Sequence, residues 1–298
     1  MRNSDRRAAG SVLIVIAIFA ALSVFTLAYI VVWVRTTIAR NDRSKPTIAA
    51  LLTGFVANFF DTLGIGSFAT TTSIFKFANM VPDRLIPGTL NAGHTIPTIL
   101  QAFIYIAVIE VDIATLVLMI AGAVAGSWFG AGWVAGMSTR KVQIGVGFAL
   151  LFASVVLLMR QFDLFPAGGD ALGLTGIKLI AAVVLNTIFA AISTLGIGFY
   201  APCMTLVGLL GMNPTAAFPI MMGSSAFLMP VASSRFAMSG AYSQTVALGL
   251  AIGGLFGVPL AAFAVKTMPL TAARWLVMIV ILYAAVTMLR SAYTERSQ

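Results

Sequence analysis

The residues of this chain best suited to chemistry lie in a pentapeptide that occurs twice. Thr-Leu-Gly-Ile-Gly spans 62–66 and returns unchanged at 194–198, a shift of 132 residues. Each Gly-x-Gly lies in apolar sequence, where glycine allows one helix to break and another to begin. The new helix presents unpaired backbone N–H groups and partial positive charge at its start, near Ser67 or Phe199. Such helix starts bind anions, so the duplication predicts an anion site shared by the two breaks.

Polar side chains around both breaks extend this predicted site. In each copy a later helix opens with a proline, Pro87 or Pro219, followed by small and polar residues that can approach the break. Uncharged donors suit an anion that must pass through without being trapped. His94 has a second interpretation, as a hydrogen-bonded packing residue. The predicted substrate-binding residues are Thr62, Gly64, Gly66, Ser67, Asn91, His94, Thr194, Gly196, Gly198 and Ser224.

Asp61 does not fit a simple anion site. An ionised carboxylate repels anions and is costly at membrane depth. Two roles stay open: the carboxylate caps the half-helix that follows, or it carries a proton during transport. Its counterpart in the second copy is Ser193, so a structural role common to both copies is not expected. Asp61 is therefore the candidate proton-coupling residue, and a cation or proton-coupled carrier is the alternative function.

The composition places these residues in a lipid bilayer. Hydrophobic residues make up 60% of the 298 residues and charged residues 9%, against roughly 25% charged in a soluble domain. The net charge of +9 comes from basic residues near the ends of apolar runs, a pattern of membrane anchoring rather than nucleic-acid binding. With one histidine, one cysteine and no recognisable catalytic motif, we expect no metal, no cofactor and no enzyme activity.

The elements that position these residues are transmembrane helices. Apolar runs of about 20 residues predict an all-α, polytopic transmembrane helix bundle. One N-terminal transmembrane helix with a basic loop occupies 1–45, and transmembrane repeats follow at 46–165 and 166–298. In each repeat, two interrupted or re-entrant helices flank the Gly-x-Gly and three full spans follow. This odd number of crossings predicts two inverted repeats.

The basic residues also predict an orientation. Arg40, Lys76 and Arg140 fall on one face of the predicted bundle, whereas Glu110 and Asp112 fall on the other. Cytoplasmic loops carry an excess of lysine and arginine. The first face is therefore expected to be cytoplasmic.

Two further glycine stripes have a structural interpretation. Gly122, Gly126 and Gly130 recur every four residues, and Gly253 and Gly257 repeat this spacing. Small residues at this interval let transmembrane helices approach closely. We expect the stripes to be scaffold, and their small-residue surfaces are consistent with a homodimer.

The residues around the breaks resemble a known family. Tandem copies built around Gly-x-Gly, each followed by a proline and a helix of small residues, look like the sulfite exporter TauE/SafE family. The likeness covers roughly Pro46 to Arg290 and is closest at 59–68 and 86–91. It implies a permease that moves sulfite or a small organosulfonate, generally outward, across a bacterial inner membrane. A non-transport membrane assembly factor stays an alternative.

Overall fold

The computed structural model describes residues 2–42, 44–164, 168–196, 198–264 and 270–294. Within these ranges the chain forms eleven α-helices, of which six are long and apolar enough to cross a membrane. The prediction of an all-α polytopic membrane protein is confirmed. The predicted boundary between the two copies, at 165–166, lies outside the described residues. In chain order the helices are α1 (Arg2–Ala39), α2 (Ile48–Thr62), α3 (Ser67–Ala78), α4 (Ile86–Val108), α5 (Ile113–Ala135), α6 (Thr139–Gln161), α7 (Gly176–Ser193), α8 (Tyr200–Leu209), α9 (Ala217–Ser239), α10 (Gln244–Pro259) and α11 (Leu270–Thr294).

Local sequence signals set several helix ends. Thr47 precedes α2 in an extended conformation, and its side chain accepts a hydrogen bond from the Ala50 N–H. Asp112 does the same for α5, accepting from the Thr115 N–H at 2.8 Å. Each side chain satisfies one of the N–H groups that a helix start leaves unpaired. The same need arises at the two glycine breaks.

The first break is a helix stop of the Schellman type. The Gly64 N–H donates to the Asp61 carbonyl at 2.8 Å, and the Ile65 N–H donates to the Phe60 carbonyl at 3.0 Å. This pattern needs a left-handed backbone after the helix, and Gly64 has a φ of +85° that glycine adopts without strain. Gly66, at φ +98°, then precedes α3. Gly64 therefore ends α2, and Gly66 leads into the start of α3.

Helix α3 doubles back beside α2. His94 of α4 contacts both helices, since its Nδ1 pairs with Asn58 Oδ1 at 3.0 Å and its Nε2 with Thr71 Oγ1 at 2.9 Å. Asn58 precedes the break and Thr71 follows it, so α2 and α3 form a hairpin whose tip is 64–66. The two helices have 15 and 12 residues, each fewer than the roughly 20 of a full span.

The second break follows the same plan. The Gly196 N–H donates to the Ser193 carbonyl at 2.9 Å, and Gly196 has a φ of +97°. Ile197 lies outside the described residues. Helix α8 has 10 residues, so it is also too short to span a bilayer.

Corresponding helices of the two copies pack reciprocally. Helix α2 packs on α10 and α7 packs on α5, while α4 packs on α9 and α6 on α11. Between α4 and α9, Thr95 Oγ1 lies 2.8 Å from Ser233 Oγ, and Ile106 lies beside Gly223. The residue numbers rise along α4 as they fall along α9. These two corresponding helices therefore run antiparallel.

The glycine stripes make some of the closest contacts between helices. A Cβ at Gly126 would lie 2.0 Å from the Thr187 carbonyl oxygen of α7, and one at Gly253 would lie 2.0 Å from the Leu51 carbonyl oxygen of α2. The scaffold interpretation agrees with these contacts. Other helices of the same chain cover both stripes. The stripes are therefore not an exposed surface for the homodimer that was expected from the sequence.

Gly126→Ala is expected to destabilise the protein by about 1–3 kcal/mol, because the added methyl group forces α5 away from backbone atoms of α7. The measurement is thermal unfolding of the purified protein in detergent. Gly136→Ala is the matched control, since a Cβ there would come no closer than 3.6 Å to the Trp133 carbonyl oxygen. Equal unfolding temperatures for the two variants would contradict the scaffold role of Gly126.

Charged side chains separate toward the two ends of the bundle. Lys76 and Asp83 form an ion pair at 2.7 Å between the end of α3 and the start of α4. Arg40 donates to the Met238 carbonyl at 3.2 Å, near the end of α9. The Asp112 cap of α5 lies at the opposite end. Asp83 lies at the same end as Lys76 and Arg40, and the cytoplasmic assignment of this end stays a prediction.

Candidate functional site

Both hairpin tips open into one cavity. Gly64 and Gly66 line it from the first copy, and Gly198 lines it from the second. The cavity volume is about 60 Å³, and a buried water needs roughly 10–15 Å³, so about four to six water-sized groups fit. Most of the remaining wall is apolar and comes from α3, α6, α8, α9 and α11. The polar side chains in the wall belong to Asp61, Ser67, Thr98, Ser193, Tyr200 and Ser225.

Asp61 is buried in the cavity wall and caps α3. Its Oδ1 accepts a hydrogen bond from the Ser67 N–H at 2.6 Å, and its Oδ2 accepts one from Gln101 Nε2 at 3.0 Å. Ser67 is the first residue of α3, so the carboxylate satisfies an unpaired N–H and neutralises partial positive charge. This hydrogen bond is a cap of the kind expected from the sequence, and the proton-carrying role of Asp61 stays a prediction. The sequence predicted that the Ser67 N–H faces the substrate, but here Asp61 accepts its hydrogen bond.

Gln101 joins the two breaks. Its Nε2 donates to Asp61 Oδ2 and to Thr62 Oγ1 at 2.9 Å, and its Oε1 accepts from the Tyr200 hydroxyl at 2.9 Å. Tyr200 is the first residue of α8. The start of α8 is therefore connected through one side chain to the acid that caps α3. Tyr200 is absent from the predicted site, and its only sequence signal is its place directly after the second break.

His94 is buried outside the cavity wall. Both ring nitrogens are hydrogen-bonded, one to Asn58 and one to Thr71. The ring therefore joins α2, α3 and α4, as the packing interpretation requires. It has no nitrogen left to offer a substrate in this conformation.

The other predicted polar residues are not part of the cavity wall. The hydroxyls of Thr62 and Thr194 donate back to carbonyls of their own helix turns, each at 2.7 Å. Asn91 Nδ2 donates to the Pro87 carbonyl at 2.8 Å. Ser224 is fully buried. Of the predicted residues, Asp61, Gly64, Gly66, Ser67 and Gly198 line the cavity, whereas Thr62, Asn91, His94, Thr194, Gly196 and Ser224 do not.

The two glycines of each break have different structural roles. At Gly196 an added Cβ would lie 3.2 Å from Leu90, with the backbone at φ +97°. At Gly66 and Gly198 an added Cβ would meet no atom within 4 Å. Gly64 and Gly196 therefore turn the chain, while Gly66 and Gly198 border open space.

His94→Ala is expected to lower the free energy of unfolding by about 2–6 kcal/mol, because Asn58 and Thr71 each lose a buried partner, at about 1–3 kcal/mol each. The substrate concentration for half-maximal transport should stay near that of the wild type, since the ring is outside the cavity wall. Thermal unfolding in detergent and flux into proteoliposomes measure the two effects. A stable variant with a raised half-maximal concentration would instead place His94 in the binding site.

One family model matches most of the chain. It is described as sulfite exporter TauE/SafE and covers residues 47–288, which include both glycine breaks and every cavity-lining residue named above. Comparison with curated proteins and with solved structures finds no match. The matched family consists of membrane transporters, in agreement with the helical membrane fold. The chain therefore belongs to the sulfite exporter TauE/SafE family.

Proposed function

We propose that this protein is a secondary transporter that moves a small sulfur-containing anion, sulfite or an organosulfonate, outward across the inner membrane by alternating access. The observation that carries the proposal is the single cavity at which the tips of both Gly-x-Gly hairpins meet. Helix starts at such a cavity favour negative charge. Discontinuous helices that meet at a shared site are also typical of secondary transporters.

The proposed architecture is a pair of inverted repeats, 46–165 and 166–298. The antiparallel course of the corresponding helices α4 and α9 supports it, as does the reciprocal packing of α2 on α10 and α7 on α5. In an inverted pair, rocking of one repeat against the other exposes the shared cavity to each side of the membrane in turn. The cavity would then lie between the moving parts.

The size of the cavity favours a compact substrate. Room for about four to six water-sized groups is sufficient for the four heavy atoms of sulfite. An organosulfonate carries carbon atoms in addition, so its transport requires the cavity to widen. We therefore propose sulfite as the preferred substrate.

Export of an anion can proceed without a coupling ion. A membrane potential that is negative inside drives one negative charge outward by about 2.3 kcal/mol per 100 mV. Asp61 supports an alternative, because its carboxylate lies in the cavity wall where a proton or another cation could bind. That alternative is a cation or proton-coupled carrier.

Flux measurements in proteoliposomes separate these functions. We expect purified protein to carry labelled sulfite and to do so faster when the imposed potential repels the anion from its compartment. Empty liposomes and an unrelated membrane protein are the controls. Sulfite flux that needs a proton gradient would support the coupled carrier, and flux of a monovalent cation without sulfite flux would overturn the proposal.

A further inference from the structure

The two helix starts at the cavity are chemically different. At α3, the Asp61 carboxylate accepts from the first N–H at 2.6 Å. A shift of 132 residues places Ser193 at the corresponding position before α8. The Ser193 hydroxyl donates to the Ala190 carbonyl at 2.8 Å, within its own helix. Among the described residues, no carboxylate accepts a hydrogen bond from a backbone N–H of the first turn of α8, although the Tyr200 side chain interacts with Asp61.

The first turn of α8 has the donors for an anion. Within the part of the chain that the structure describes, the hydrogen bond nearest the start of α8 runs from the Cys203 N–H to the Phe199 carbonyl. A helix start leaves the N–H groups of its first turn, here those of Tyr200 and Ala201, without an intrahelical partner. Pro202 has no N–H, and it lies in the first turn of α8, where a helix tolerates proline. Phe199 and Tyr200 both line the cavity. The first residues of α8 therefore border the same cavity as Asp61 and Ser67.

Ser225 supplies a second and independent signal. It is 2% exposed, it lines the cavity, and its hydroxyl oxygen has no hydrogen-bond partner in the structure. A buried hydroxyl without a partner costs about 1–3 kcal/mol, so such a group is unusual unless something else binds it. Ser234, nine residues further along the same helix, shows the ordinary alternative by donating to the Pro230 carbonyl at 2.8 Å.

We infer that the substrate oxyanion binds asymmetrically, at the start of α8, with the Ser225 hydroxyl donating to one of its oxygens. This inference rests on the proposed anion transport and specifies the place and partners of the anion. In the second copy, the bound anion takes the position that the Asp61 carboxylate occupies in the first. Ser67 then serves the scaffold, because its N–H already donates to Asp61.

The first test removes the hydroxyl. Ser225→Ala is expected to raise the sulfite concentration for half-maximal flux about tenfold, because a hydrogen bond to a charged group is lost. Its maximal rate and unfolding temperature should change little. Ser234→Ala is the matched control on the same helix, and we expect it to keep the wild-type half-maximal concentration.

The second test supplies an internal competitor. Ser193→Asp places a carboxylate where the first copy has Asp61, and we expect it to pair with the start of α8 and to abolish sulfite binding. Binding is read as the rise in unfolding temperature that sulfite causes in detergent. Ser193→Asn adds nearly the same bulk without charge, so it should bind sulfite more weakly than the wild type but still measurably.

The outcomes distinguish the inference from the function on which it rests. If the wild type carries sulfite while Ser225→Ala and Ser193→Asp both keep its half-maximal concentration, the asymmetric site is wrong and the transport function stands. If the wild type neither carries sulfite nor is stabilised by it, the proposed function fails, and the site at α8 fails with it.

Discussion

Gly198→Val is expected to reduce anion flux at least tenfold while the protein still inserts and folds. An added Cβ at Gly198 meets no atom within 4 Å, so the valine side chain enters the cavity instead of colliding with a helix. The cavity holds only about four to six water-sized groups, and a valine side chain removes most of that room. The measurement is sulfite uptake into proteoliposomes, with thermal unfolding as the check on folding.

Valine substitutions at two other glycines are compared with Gly198→Val. Gly136→Val is the control, since it adds the same bulk at an exposed site beyond the end of α5. Gly66→Val should also stop transport, but Gly66 has a φ of +98°, which a valine adopts only under strain. A loss of flux in Gly66→Val could therefore come from blockage of the cavity or from distortion of the break. Undiminished flux in Gly198→Val would remove the second break from the proposed site.

Asp61→Ala is expected to destabilise the protein by about 2–6 kcal/mol and to abolish transport. Two buried donors, the Ser67 N–H and Gln101 Nε2, lose the acceptor that now pairs with them, at about 1–3 kcal/mol each. The start of α3 also loses a favourable negative charge. Thermal unfolding and sulfite flux of the same preparation measure both effects.

Asp61→Asn separates capping from proton coupling. The asparagine oxygen can still accept from the Ser67 N–H, and the Gln101 amide can flip to accept from the new NH₂ group. We therefore expect flux within about threefold of the wild type and an unchanged dependence on pH. If Asp61→Asn keeps the flux but loses its pH dependence, Asp61 carries a proton and the coupled carrier replaces the simple exporter.

Much of the fold could be predicted because its signals are local. Hydropathy over about 20 residues predicts spans, and the helix stop at Gly64 depends on hydrogen bonds that reach back only to Phe60. The pairing of Asp61 with Ser67 covers six residues, so a cap was one of the two roles open from the sequence. The duplicated pentapeptide was sufficient to predict that two breaks share one site.

The composition of the site depends on contacts that no short window contains. Gln101 and Tyr200 are hydrogen-bonded although they are 99 residues apart in the sequence. His94 is hydrogen-bonded to Asn58, which lies on another helix and 36 residues away. The sequence placed His94 and Asn91 near the breaks but could not tell a satisfied packing residue from a ligand. That distinction follows from which neighbours already use each donor and acceptor.

The amino-acid order determined the membrane environment, the helices, their two interruptions and the family, because each follows from short-range chemistry or a recognisable motif. Packing alone decided that Asp61 occupies the start of α3, that Ser225 faces the cavity without a partner, and that α6, α9 and α11 complete the wall. Helices that are apolar on every side carry no pattern to show which face meets protein and which meets lipid. Their neighbours are therefore known only once the bundle is assembled.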